Sequence, residues 1–286
     1  MPASHDIDVL DLEYSREGGA ARLVRAYVPR GPGPFPAVVE VHGGGWTTGD
    51  RLMNRVIHED LARHGVVVAA LDFRMPPEAR YPLPVADVNL GIRWLKAHAA
   101  ELRSRADLVG GVGTSSGGHQ LLLNSLQPRR PEYAQLVLAD APRLDASLAF
   151  VVACWPVADP LARYRMVNEN GNERLVQAHR AYWPSEEDMA LGNPQLMLER
   201  GEAVELPPLL TMQGTSDDNL TADMAERFAR AYRKAGGRAE FEQFEGQPHA
   251  FITRDPAGSA STRALAAIRR FIEAETSSRL ASAAAK

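Results

Sequence analysis

Apolar residues in this chain gather into short runs separated by helical patterns, in a regular order. Residues 9–15 and 22–28 read as two strands of an opening hairpin around Gly18-Gly19. Residues 38–42, 66–73, 108–114, 148–155, 208–212 and 240–244 read as six further strands. Helical patterns cover residues 54–64, 85–97, 116–126 and 223–235, the last of these stopped by Gly236-Gly237, and a helix over 261–275 closes the chain. Strands alternating with helices in this way predict βαβ units and a mostly parallel sheet. Ligands of such sheets bind beyond the C-terminal ends of the strands.

One stretch breaks the alternation. Residues 156–206 are longer than a single crossover needs and hold Tyr164, Met166, Tyr182, Trp183, Met189 and Met197 among many charges. A small helical cap over the site is expected there. Its apolar residues either line a pocket or pack the insertion onto the sheet. Residues 276–286, rich in Ser and Ala, are expected to form a frayed helix or a disordered, flexible tail.

Composition narrows the class. With 286 residues and 45% hydrophobic content, one domain with a large core is expected across 1–286. A net charge of −4 offers no basic field for nucleic acid or an anionic membrane, and no run approaches the length of a membrane span. The first residues carry no apolar segment of a signal peptide, and the lone Cys154 can form no internal disulfide, which together point to the cytoplasm. Neither Cys/His metal-ligand spacing nor a dinucleotide fingerprint is visible, so no cofactor is expected. A monomer or homodimer acting on a small molecule fits these bounds.

The candidate chemistry lies at the strand ends. Gly113-Thr114-Ser115-Ser116-Gly117 follows an apolar run, and glycines two before and two after Ser115 let a strand turn sharply into a helix. That turn presents the Ser115 hydroxyl as a nucleophile. His42-Gly43-Gly44-Gly45-Trp46 follows the strand at 38–42. Three glycines in succession carry an entropic cost that a plain turn rarely requires. The amides of Gly43 and Gly44, with that of Ser116, are the expected donors to the negative charge that develops on an attacked carbonyl oxygen.

Of eight histidines, His249 in Gly246-Gln247-Pro248-His249 stands in a loop late in the chain, the place expected of the base. His58, His64, His98 and His179 read as residues of solvated helix faces. His42 is expected to brace the glycine loop, and His119 to pack or hydrogen-bond inside. The acid comes from Gly214-Thr215-Ser216-Asp217-Asp218-Asn219. Asp217 is preferred, and Asp218 is the alternative, with helix capping near Thr221 as its other duty. Trp46 and Trp155 are bulky neighbours of the expected carbonyl site, either narrowing a substrate cleft or anchoring the core.

Taken together, His42-Gly43-Gly44-Gly45, Gly113-x-Ser115-x-Gly117, Gly214-x-x-Asp217 and Pro248-His249 resemble the α/β-hydrolase esterases, and within them the hormone-sensitive-lipase-like branch with its small bacterial carboxylesterases and acetylesterases. Leu71-Asp72-Phe73-Arg74-Met75-Pro76-Pro77-Glu78, Tyr81-Pro82 and Asp87 extend the match, which runs from about residue 37 to 271. The resemblance implies the α/β-hydrolase fold and a serine carboxylesterase cleaving small to medium esters with Ser115, Asp217 and His249. The chain departs from the group at Thr114 and Ser116, where Asp and Ala are usual, at Phe73 for Tyr, and at Ala250 for Gly. The long N-terminal cap of many lipase-like members is expected to be missing. Amide cleavage, as in an arylformamidase or small peptidase, is the second reading, and a non-catalytic binding module the third.

Overall fold

The computed structural model describes residues 4–284. Among them an eight-stranded sheet is formed by β1 (Ile7–Ser15), β2 (Arg22–Pro29), β3 (Ala37–Val41), β4 (Val67–Leu71), β5 (Val109–Thr114), β6 (Val151–Cys154), β7 (Leu209–Gly214) and β8 (Ala239–Phe244). The spatial order is β1-β2-β4-β3-β5-β6-β7-β8. The β1–β2 and β2–β4 pairs are antiparallel and every other pair is parallel. β3 and β4, reading Ala-Val-Val-Glu-Val and Val-Val-Ala-Ala-Leu, are buried at every position. Strands covered by helices on both faces need such continuous apolar runs.

The helices are α1 (Arg55–Arg63), α2 (Leu83–Ala97), α3 (Ser115–Leu126), α4 (Pro160–Glu169), α5 (Glu173–Tyr182), α6 (Glu186–Leu191), α7 (Pro194–Glu199), α8 (Met224–Lys234), α9 (Phe251–Arg254) and α10 (Ser259–Ala284). Four of them, α4 to α7, form the insertion between β6 and β7. Each begins on a side-chain cap: Asp159, Asn172, Ser185 and Asn193 accept from the amides of Ala162, Leu175, Asp188 and Leu196. Such caps satisfy amides that a short helix leaves unpaired. The insertion is tied to the body by Asp159, whose carboxylate meets Arg227 at 2.5 Å, and by the Gly192 carbonyl, which accepts from His119 Nε2 at 2.8 Å.

Two expectations need correction here. The closing helix does not stop at Glu275: α10 continues to Ala284, and residues 285–286 of the expected tail lie outside the described residues. Thr276 is buried, its hydroxyl bonded to the Ile272 carbonyl at 2.7 Å, so the helix is still packed where a tail was expected. His58 and His179 are not on solvated faces but fully buried. His58 Nε2–H donates to Glu40, itself buried in β3, at 2.8 Å, while Asn54 donates to the other Glu40 oxygen at 2.7 Å. His179 lies edge-on to the Trp46 ring, 4.9 Å between centroids.

Candidate active site

Ser115 sits at the junction of β5 and α3 with φ of 52°. Left-handed backbone is unfavourable for a side-chain-bearing residue, and where it persists the surroundings enforce it. Here the tight turn is enforced by packing at Gly117, where a Cβ would lie 2.1 Å from the Val41 carbonyl oxygen. The first turn of α3 has no side-chain cap, so amides there, Ser116 among them, face the positive end of the helix with no capping acceptor.

A continuous hydrogen-bonded chain leads away from the serine. Ser115 Oγ–H donates to His249 Nε2 at 2.9 Å, and His249 Nδ1–H donates to Asp217 Oδ2 at 2.8 Å. The other oxygen of Asp217 accepts from the amides of Asn219 at 2.9 Å and Leu220 at 3.2 Å, which fixes the carboxylate. Asp217 is 8% exposed, whereas Asp218 is exposed. Nor does Asp218 cap the next helix, since the N-cap position of α8 is Asp223. The three side chains come from the ends of β5, β7 and β8, brought together by the parallel order of the sheet.

Opposite the histidine lies the loop after β3. A Cβ on Gly43 would stand 3.2 Å from the Ser115 Cβ, so the loop backbone passes directly beside the nucleophile. Gly44 has φ of 101°, and a Cβ there would fall 1.9 Å from the Thr48 carbonyl oxygen; only glycine fits. His42 Nδ1–H donates to the Gly43 carbonyl at 2.8 Å, and its ring stacks on Phe73 with centroids 4.3 Å apart. Burial pushes the His42 ring below its ordinary pKa, so it braces the loop as a neutral donor. Thr114 accepts from Asn54 at 2.9 Å.

A cavity of about 210 Å³ opens on Ser115, Gly43, Gly44, His249 and Trp155. A larger cleft of about 680 Å³ lies along 126–132 and 202–205 but holds none of these groups, so chemistry and not size identifies the site. Trp155 lines the cavity and meets the His249 ring edge-on at 6.2 Å. Trp46 does not line it. This residue is fully buried, stacked on Tyr182 at 5.0 Å and donating its indole N–H to His119 at 3.2 Å, which makes it a core anchor. The apolar residues of the insertion behave likewise: Tyr182, Trp183, Met189 and Met197 are buried in the core. What the insertion gives the cavity instead is Arg163, Arg174 and Leu175. Sequence reasoning missed these arginines, because nothing distinguishes them from the other charges of α4 and α5.

Among the described residues, no group of three or more His, Cys, Asp or Glu side chains is placed to hold a metal ion, and no helix is long and apolar enough to cross a membrane.

Residues 38–253 match a family model described as alpha/beta hydrolase fold. A probable carboxylic ester hydrolase of Mycobacterium tuberculosis is 25% identical over 270 residues, covering 91% of this chain and 59% of its own. A probable isoprenylcysteine alpha-carbonyl methylesterase of Arabidopsis thaliana is 23% identical over 237 residues, covering 80% of this chain and 49% of its own. The chain thus spans only about half to three fifths of these relatives' length. Among solved structures, a thermostable carboxylesterase from a metagenomic library superimposes with a TM-score of 0.78 at 24% identity, over 95% of this chain and 90% of that one.

Proposed function

This chain belongs to the α/β-hydrolase-fold family, and from that premise we propose that it is a serine hydrolase of small to medium carboxylic esters, acting through an acyl-enzyme on Ser115. The observation that carries this reading is the unbroken chain from Ser115 Oγ through His249 to Asp217, with donor–acceptor distances of 2.9 and 2.8 Å. In it, His249 Nε2 accepts the serine proton as Oγ attacks the ester carbonyl. Asp217 holds the tautomer that leaves Nε2 free and stabilises the imidazolium. The oxyanion settles against the amides of Gly43, Gly44 and Ser116, and His249 returns the proton to the departing alcohol. Water, activated by the same histidine, then releases the acid.

The size preference is supported by the cavity. Its volume of about 210 Å³ falls below the roughly 300–1,000 Å³ of drug-sized pockets. The insertion over 156–206 acts as a modest cap, and Trp155 as a substrate contact. The buried Cys154 supports a reducing, cytoplasmic setting, and the chain works as a monomer or homodimer. The test is a series of 4-nitrophenyl esters from acetate to palmitate. Each methylene that fits contributes about 0.8 kcal/mol, so kcat/KM should rise over the first few carbons and then fall. A profile still climbing beyond about ten carbons would contradict a cavity of this size. An organophosphonate should label Ser115 and leave the Ser115→Ala protein unmodified; labelling elsewhere, or none, would remove the serine from its role.

A further inference from the structure

Arg163 is the anomaly of this site. It is 1% exposed, and a buried guanidinium ordinarily has a carboxylate of its own. Here its Nε and Nη2 both donate to a neutral residue, the backbone and side-chain oxygens of Asn219. Its Nη1 has no hydrogen-bond partner among the described residues. The nearest acid that acts on it, Asp217, is already committed: one oxygen holds His249 and the other two amides. The Trp46 ring, 5.4 Å from the guanidinium carbon, offers a π-face but no counter-charge. Burial pushes the guanidinium down to about 9, and the charge of Arg174 pushes the same way, so it remains a cation at neutral pH.

Arg163 lines the cavity beside Ser115, and two exposed arginines, Arg174 and Arg254, line it as well. Among the residues lining that cavity none is Asp or Glu. Three cations therefore face the nucleophile of a chain whose net charge is −4. An apolar ester would leave that wall uncompensated; a carboxylate would supply the missing counter-charge, the group a guanidinium ordinarily pairs with.

We propose that the substrate is an ester carrying a second, ionised carboxyl group, bound by Arg163 together with Arg174 and Arg254 while Ser115 attacks the ester carbonyl. This rests on the esterase reading above. The carboxylate belongs either to the acyl half, as in the half-ester of a short dicarboxylic acid, or to the alcohol half. Hydrolysis consumes one water and yields the acid and the alcohol, with the second carboxylate untouched throughout.

Two matched pairs of substrates test it and tell the halves apart. The acyl pair is 4-nitrophenyl hemisuccinate against 4-nitrophenyl pentanoate; the alcohol pair is 4-carboxyphenyl butanoate against 4-methylphenyl butanoate. The wild-type enzyme should favour the charged member of one pair at least tenfold in kcat/KM, and that pair names the half. In the R174Q/R254Q double variant, whose changes lie at exposed positions, the ratio should drop severalfold. Arg163→Met should abolish it, with Arg163→Lys recovering part. Because Arg163 is buried and its variants can fail to fold, the double variant decides. Equal or better turnover of the neutral member in both pairs overturns the inference and leaves the esterase reading standing, as does an unchanged ratio in the double variant. No turnover of any of the four esters overturns both.

Discussion

The two walls that meet at Ser115 are made of different material. On the sheet side the working parts are set by backbone: the left-handed turn at Ser115, the Gly43–Gly44 loop, and the amides that fix the Asp217 carboxylate. On the insertion side they are long side chains, Arg163 and Arg174, carried by short capped helices. The first wall tolerates almost no displacement, since a single added Cβ at Gly44 or Gly117 would fall within 2.1 Å of a carbonyl oxygen. The second is fastened by polar contacts at its edges and by an aromatic stack beneath it; Arg163 lies over the Trp46 ring of that stack, whereas Arg174 is exposed and can change without disturbing it. On the readings proposed above, reaction chemistry sits in the sheet and substrate choice mainly in the insertion, with Arg254 of α9 joining it from the other side.

Breaking the sheet wall should have the largest effect. Ser115→Ala and His249→Ala should each lower kcat/KM on 4-nitrophenyl butanoate by roughly 10⁴-fold or more, and the double variant should cost little beyond either, because the group acts as a unit. Asp217→Asn should lose roughly 10³- to 10⁴-fold through the wrong imidazole tautomer. Additive losses in the double variant would mean that serine and histidine do not share a step.

The aromatic stack beneath the insertion comes next. Trp46→Ala removes a fully buried indole and should cost about 3–5 kcal/mol of stability in urea unfolding. Its acyl-chain profile should keep the wild-type optimum, since Trp46 does not line the cavity. A shifted optimum with unchanged stability would return Trp46 to the substrate.

A smaller effect comes from protons. Burial pushes His119 down to about 4 and His179 to about 2 from the ordinary 6.5. The unfolded chain therefore takes up protons that the folded one refuses as pH falls below about 6.5, and stability drops from there toward pH 4. Each ring contributes up to about 1.4 kcal/mol per pH unit in that window. Thermal melts at pH 7 and pH 5 should show the loss, and His179→Leu should flatten the slope; an equal slope in that variant would mean His179 is protonated in the fold. The smallest change of all is expected from Asp218→Asn, within twofold in kcat/KM, and a large loss there would transfer the acid's role from Asp217.

What could be read from the sequence follows the same division. The alternation of strands and helices and the motifs at Ser115, Gly43-Gly44, Asp217 and His249 were readable because backbone constraints leave few residues to choose from. Side-chain environments were not. Arg163 and Arg165 stand two residues apart in α4, one buried and one exposed, because successive residues of a helix turn about 100° and these two face nearly opposite ways. No local pattern says which face of a short helix will meet the cavity. The burial of His58 depends on Glu40, which arrives from β3, and that of His179 on Trp46, which arrives from the loop after it. The end of α10 was placed too early because Ser and Ala were read as frayed helix or disorder, although Ala is the best helix former and Thr276 is pinned by Ile272.

The pairing of β3 with β5 has a consequence for how such a chain can vary. Val41 and Gly113 are register partners, each within two residues of a working group: the glycine loop on one strand and the nucleophile on the other. Neighbouring strands are held roughly 4.8 Å apart by their ladder, so the gap between the glycine loop and the serine follows from that spacing and not from the length of the chain between them. Insertions and deletions over 128–150, or an exchange of the whole segment between β6 and β7, leave that gap where it is. A replacement segment over the sheet has only to meet the same anchors, Arg227, His119 and the Trp46 ring, for the spacing beneath it to be kept.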